Sequence, residues 1–194
     1  MTTITKTKSK TTSSRQTIKE LPSNPFIFEI LNFVSKQKTN LKKIEILKQY
    51  EDPSLKSLFI WNFDESVITL LPEGPVPYAS VGEQNSFSGT VSDKINDAVS
   101  KMDEMKSASL GANDQGRTTI RKEYKIFYNF VQGGNSTLSS LKRETMFINL
   151  LQGLHPLEAE LLILIKDKKL QSKYKITKEL VSEAYPDIKW GGRS

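Results

Sequence analysis

The sequence predicts an all-α protein, and three observations support this class. Apolar residues recur at intervals of three and four along most of the chain, which is the spacing of one helix face. Proline and glycine residues end these apolar runs at short intervals, as they do between short helices. No segment alternates apolar and polar residues convincingly, so no strands are predicted. At 194 residues the chain has room for one compact multi-helix domain with tails.

Residues 1–25 are predicted to form a disordered basic arm. They contain eleven Ser or Thr and five basic residues, against the single acid Glu20. Their few apolar side chains cannot bury enough surface to offset the entropy lost on folding. The arm either keeps the protein soluble or reaches along phosphates, and the sequence leaves both roles open.

A single helical domain is predicted over residues 26–190, beginning with three helices. Pro25 suits the first turn of a helix through "FIFEILNFV", whose apolar residues have helical spacing. A second helix follows Asn40, and Asp52 with Pro53 begins a third as N-cap and first helical residue. The inward stripe of the second helix is predicted to be Leu41, Ile44, Leu47 and Tyr50.

A break is predicted after the first three helices and one further short helical segment. That segment runs from Asp64 through Leu71, and the proline-rich stretch "LPEGPVPY" ends it. Residues from about 79 to 116 are rich in Ser, Gly, Asn and Asp and carry only a weak helical stripe. They are predicted to be a flexible central insertion.

The second half returns to helical spacing, and residues 117–134 predict the most regular helix of the chain. Its stripe is Ile120, Tyr124, Phe127 and Val131. Tyr124, Phe127 and Tyr128 are interpreted as core or half-buried positions, so they do not favour stacking with single-stranded bases. Three helices follow, the last two beginning near Pro156 and Thr177. The first of these three is predicted to bury Leu138, Leu141, Ile148 and Leu151.

Residues that could perform catalysis or hold a metal or cofactor are not found. The chain has no cysteine, and its single histidine, His155, is expected to satisfy backbone groups at a helix entry. Glu158 and Glu160 are two apart on a helix and face different ways, which argues against a carboxylate pair. Phosphate-loop, zinc-protease and serine-hydrolase motifs are missing, so we expect no enzyme and no cofactor. No apolar run is long enough for a membrane span, and no signal peptide is recognised.

Positive charge is concentrated after the predicted helix that begins near Pro156. The chain has a formal net charge of +6 and a pI near 9.3, which favours acidic partners modestly. Six lysines lie within residues 166–178. A lysine-rich turn that faces the N-terminus of the next helix can present ammonium and backbone N–H groups to the same phosphates. The candidate DNA-binding residues are Lys166, Lys168, Lys169, Lys173 and Lys175; a solvated surface is the alternative interpretation.

The order of segments resembles a known family. "FEILNFVSKQKTNLKKIEILKQYEDPSLKSLFIWNF" and "EAELLILIKDKKLQSKYKITKELVSEAYPDI" resemble the two ends of the N-terminal helical DNA-binding domain of T-even-phage-type ATP-dependent DNA ligases. "LLPEGPVPY" and "LKRETMFINLLQGLHPLEAELLILIKDKKL" look like a family of T-even-like phage proteins from marine bacteria, for which no activity is known. The ligase resemblance implies a helical module that grips the backbone of duplex DNA. Because no KxDG motif occurs, it implies no ligation chemistry.

Two functions are therefore expected as alternatives. The first is a non-catalytic phage DNA-binding module that holds duplex DNA without sequence specificity in replication, repair or DNA protection. The second is a phage adaptor or virion-associated protein that binds another protein and has no role with nucleic acid. The expected partners are the duplex DNA backbone and, in addition, a phage replication or virion protein, but no membrane. The expected location is the host cytoplasm during infection, with the virion as the alternative.

Overall fold

The computed structural model describes residues 21–77 and 116–193, which fold into helices joined by short turns. The predicted all-α class is confirmed, and the only β pairing in these ranges is an isolated bridge between Thr69 and Val131. Nearly all of the predicted arm and insertion lies outside the described residues. The helices are α1 (Ile27–Ser35), α2 (Asn40–Gln49), α3 (Pro53–Phe63), α4 (Ile120–Glu123), a 3₁₀ helix (Tyr124–Phe130), α5 (Ser140–Gly153), α6 (Pro156–Lys166), α7 (Leu170–Tyr174) and α8 (Lys178–Ala184).

Several helix starts were predicted from local signals, and the structure confirms them. Asp52 caps α3, since its Oδ1 accepts a hydrogen bond from the Ser54 amide at 2.8 Å. Thr177 caps α8 in the same way through its hydroxyl oxygen. At the start of α6, the Nδ1 atom of His155 accepts a hydrogen bond from the Leu157 amide at 3.1 Å, as expected for a histidine at a helix entry.

One hydrophobic core joins the two described ranges. Helix α2 packs against α8, α3 packs against α6, and α1 packs against both α6 and α7. The fully buried side chains include Leu31 and Leu55 from the first range and Leu161 and Val181 from the second. The N-terminal helices therefore complete their packing only with helices from the C-terminal half.

The predicted regular helix over residues 117–134 is wrong. Helix α4 has only four residues, and a seven-residue 3₁₀ helix continues from it. A 3₁₀ helix has three residues per turn, so Phe127 and Phe130 share the buried side. Tyr128 lies between them and is 54% exposed, which differs from the half-buried position predicted for it.

Other predicted inward positions are also corrected. Leu41 in α2 and Leu141 in α5 are exposed. The buried side of α5 contains Arg143, whose guanidinium donates to the carbonyl oxygen atoms of Asn129, Asn135 and Leu138. A stripe drawn through apolar residues alone misses an inward-facing arginine, which shifts the predicted face of α5. The short segment after Asp64 is a turn followed by the bridge residue Thr69, not a helix.

Candidate nucleic-acid interface

The first predicted DNA-binding residue, Lys166, is buried at the end of α6. Its ammonium group donates hydrogen bonds to the carbonyl oxygens of Pro72 (2.6 Å) and Gly74 (3.1 Å). It also forms an ion pair with Asp167, and only 1% of the Lys166 side chain is exposed. The ammonium group has no open side toward a phosphate, so this placement disagrees with the predicted DNA contact of Lys166.

Lys168 is turned partly inward in the connection between α6 and α7. Its backbone has φ of 56°, in the left-handed region, and its ammonium donates to the carbonyl oxygen of Asp64 at 2.8 Å. Burial lowers the pKa of Lys168, although the charges of Asp64 and Glu65 oppose that change. A phosphate contact by Lys168 would have to compete with this internal hydrogen bond.

Lys169 and Lys173 lie at the surface, but each is paired with a carboxylate. The ammonium of Lys169 lies 2.9 Å from Glu73, and the ammonium of Lys173 contacts Glu160. The Lys169 pair is exposed, and such pairs hold their partners weakly. Both lysines can reach solvent, yet their positive charge is partly cancelled by the neighbouring acid.

Lys175 differs from the other predicted lysines because it is exposed and its ammonium has no carboxylate partner among the described residues. It ends α7 in the left-handed conformation, with φ of 49°. Its carbonyl oxygen accepts a hydrogen bond from the ammonium of Lys43 at 3.1 Å. This bond brings the first turn of α2 against the end of α7.

The α1–α2 connection and the first turn of α2 carry further lysines that were not among the predicted DNA-binding residues. Residues 36–44 contain four lysines and no acidic residue. Lys36, Lys38 and Lys42 are exposed, and none forms an ion pair within the described part of the chain. We call the following residues the basic surface: Lys36, Lys38, Lys42, Lys43 and Lys175.

The start of α2 adds to the positive potential of the basic surface. Thr39 is the N-cap residue but makes no side-chain capping bond, and the first turn contains no acid. The amides at a helix N-terminus carry partial positive charge and attract anions. Lys42 and Lys43 extend from this first turn. The sequence signal for this surface is the run "KQKTNLKK", which lies within the first stretch that resembles the ligase domain.

The two glutamates of α6 have separate roles. Glu158 is fully buried and accepts hydrogen bonds from the amides of Ile27 (3.4 Å) and Ile120 (3.0 Å). Burial raises the pKa of Glu158 to about 7, although these two N–H donors oppose the change. Glu160 contacts Lys173 instead. The carboxylates of Glu158 and Glu160 therefore bind different partners.

Neither a metal site nor a membrane-spanning helix is found in the described ranges. No group of three or more His, Asp or Glu residues within 21–77 and 116–193 could hold a metal ion. Among the helices of these ranges, none has the length and apolar character needed to cross a membrane.

One comparison with known proteins gave a match. The profile described as a family of unknown function (DUF6433) matches residues 30–102 and 89–172, together more than half of the 194 residues. Comparisons with curated proteins and with solved structures found no similar protein. The matched residues include the lysines of the α1–α2 connection, whereas Lys175 lies just beyond them.

Proposed function

The chain belongs to this family of unknown function, and we propose that it is a non-catalytic module that binds the phosphate backbone of duplex DNA without sequence preference. The observation that supports the proposal is the basic surface. Its lysines come from two distant parts of the chain, and no carboxylate of the described residues is paired with them. Lysine contacts to phosphate give affinity and position but carry no sequence information.

The proposed setting is a phage infection, in replication, repair or DNA protection. This part of the proposal comes from the resemblance to phage ligase domains and to T-even-like phage proteins. It implies the host cytoplasm or the virion as location, and a phage replication or virion protein as an additional partner.

Salt-dependent binding to a short duplex tests the proposal. Neutralising about three or four phosphates predicts a slope of roughly −3 to −4 for log affinity against log salt. Lys42→Gln/Lys175→Gln removes two lysines of the basic surface and should make that slope shallower by about two. The matched control is Lys142→Gln/Lys189→Gln, which changes the net charge equally at exposed positions outside the basic surface and should leave the slope unchanged.

Two results would count against DNA binding. One is no detectable binding at about 50 mM salt, where phosphate contacts are strongest. The other is an unchanged slope in Lys42→Gln/Lys175→Gln. Either result favours the adaptor function.

A further inference from the structure

A cleft of about 430 Å³ opens beside the 3₁₀ helix, on the side of α3 that carries Ser57. Its volume falls within the usual range for small-molecule sites. Side chains of α3, the 3₁₀ helix and the following turn form its walls. The aromatic residues that line it are Trp61, Tyr124, Phe127 and Tyr128.

Some of the aromatic residues form the buried floor of the cleft, and Tyr128 forms its exposed rim. Trp61 is 3% exposed and packs against Phe127 at 5.4 Å between ring centroids. Its indole N–H donates to the Thr69 hydroxyl at 2.9 Å, which fixes the ring. Tyr128 is 54% exposed, and its ring packs against no other aromatic ring of the described residues. A planar group entering the cleft would therefore meet an open aromatic face.

The charges at the edge of the cleft are positive. Lys125 and Arg193 line it, and no aspartate or glutamate is among its lining residues. One guanidinium nitrogen of Arg193 is bound to the Asp64 carboxylate, which holds the side chain in place. The remaining guanidinium N–H groups make no hydrogen bond within residues 21–77 and 116–193. The cleft thus combines an aromatic surface with the cation of Lys125 and with Arg193, whose charge Asp64 partly offsets. This combination matches a planar aromatic ligand that carries negative charge.

We propose that this cleft binds one unpaired nucleotide of a nucleic acid strand, with its base against Tyr128 and its phosphate near Lys125 and Arg193. Stacking of a base on an aromatic side chain beside basic residues is how single strands are bound without sequence preference. This inference rests on the proposed nucleic-acid function and adds a second site to it. The module would then hold duplex through the basic surface and an unpaired nucleotide through the cleft.

Fluorescence of Trp61 tests the cleft directly. The chain has two tryptophans, so Trp190→Phe leaves Trp61 as the only one. An oligothymidylate of about eight nucleotides, within the site size of single-strand binders, is added to this variant at low salt. We expect saturable quenching of Trp61. In the same background Tyr128→Ala should weaken binding at least about fivefold, the lower end of what loss of one stacked base produces, whereas Tyr128→Phe should preserve it.

Matched variants separate this inference from the proposed function. Tyr128→Ala should leave the salt slope for duplex unchanged, and Lys42→Gln/Lys175→Gln should leave the quenching of Trp61 intact. Lys125→Gln should reduce the salt slope of oligonucleotide binding by about one. If the protein does not bind duplex DNA but the oligonucleotide still quenches Trp61, the proposed function is overturned and the cleft proposal is not.

Three outcomes would overturn the cleft proposal. They are no quenching of Trp61, unchanged affinity in Tyr128→Ala, and a change of oligomeric state in Tyr128→Ala without any loss of oligonucleotide binding. The last outcome would show that a second copy of the chain covers the cleft. Because Tyr128 is exposed, the variant should fold, and its circular dichroism spectrum verifies this.

Discussion

At the scale of single residues, Glu158 joins three segments of the chain through one buried carboxylate. It lies in the first turn of α6 and accepts hydrogen bonds from amides at the starts of α1 and α4. Two N–H groups that helices leave unpaired at their first turns are thereby satisfied. The same burial makes the charged form of Glu158 costly.

Stability should depend on pH through Glu158. Its pKa is raised from 4.5 to about 7 in the folded protein, so the folded state keeps a proton that the unfolded chain releases. The contribution of this group to the free energy of unfolding is therefore full below about pH 4.5. It decreases by roughly 2–4 kcal/mol as the pH rises toward 7. Urea unfolding followed from pH 4.5 to 7.5 measures the change.

Glu158→Gln tests the assignment of this pH dependence. The variant should lose the slope between pH 4.5 and 7, because the amide does not titrate. It should also be less stable at low pH, since a glutamine offers one oxygen to two amide donors. Glu45→Gln, at an exposed position of α2, is the matched control and should keep the slope. A slope that survives in Glu158→Gln would assign the pH dependence to another group.

Replacing Lys166 should reduce stability rather than DNA binding alone. Lys166→Met leaves the nearly buried Asp167 without its cation and removes the donor to Pro72 and Gly74. The expected loss is about 3–5 kcal/mol, as for one partner of a buried ion pair. Lys169→Met is the control, and its midpoint in urea should stay almost unchanged because Lys169 is paired only at the surface. Equal midpoints for both variants would contradict the internal role of Lys166.

The lysines of residues 166–178 show which residue properties can be predicted from sequence. The sequence predicts that lysines are abundant after α6, and it predicts the capping role of His155, whose partner amide is two residues away. It cannot predict that Lys166 is buried, because its acceptor Pro72 is 94 residues distant in the chain. Lys175 remains a prediction, and its exposed ammonium group has no carboxylate partner within residues 21–77 and 116–193.

At the scale of secondary-structure elements, the cap of α3 should contribute measurably to stability. Asp52→Ala removes the hydrogen bond to the Ser54 amide and should cost about 1 kcal/mol, whereas Asp52→Asn keeps an oxygen acceptor and should cost less. Thr39→Ala at α2 is the matched control, because Thr39 makes no side-chain capping bond. Thermal unfolding of the three variants distinguishes them. A loss in Thr39→Ala as large as that in Asp52→Ala would refute the capping explanation.

Helix starts were predictable, whereas one helix type was not. Caps such as Asp52 and Thr177 act on amides two or three residues away, so the local sequence carries the signal. The 3₁₀ helix has seven residues, and each turns about 20° further than in an α-helix, so the side-chain directions drift away from those of the predicted α-helix. For this reason the sequence suggested the wrong exposure for Tyr128, and the aromatic cleft was not predicted.

At the scale of the whole molecule, residues 83–113 should be dispensable for folding. The hydrophobic core already joins residues of both described ranges. Deleting them should leave one cooperative thermal transition with the same midpoint for circular dichroism and fluorescence. Loss of that transition, or separate midpoints, would show that the deleted residues are needed for the domain.

The all-α class followed from local spacing, but the basic surface required the tertiary structure. Sequence supplied the four lysines of residues 36–44 and the lysines after α6 as separate clusters. Packing of α1 against α7, together with the bond from Lys43 to Lys175, brings Lys175 of the second cluster next to the first cluster. Sequence periodicity does not predict which distant segments pack against each other.

The contacts between the ends of the chain also set an order of events during synthesis on the ribosome. The Tyr185 hydroxyl donates to the carbonyl oxygen of Leu47, and 138 residues separate the two. At about 5–20 residues per second, translation needs roughly 7–28 seconds to add that length. Until then the apolar sides of α1, α2 and α3 lack their C-terminal partners. A nascent chain stalled before residue 156 should therefore recruit chaperones that hold apolar segments, and release of the full chain should end that association.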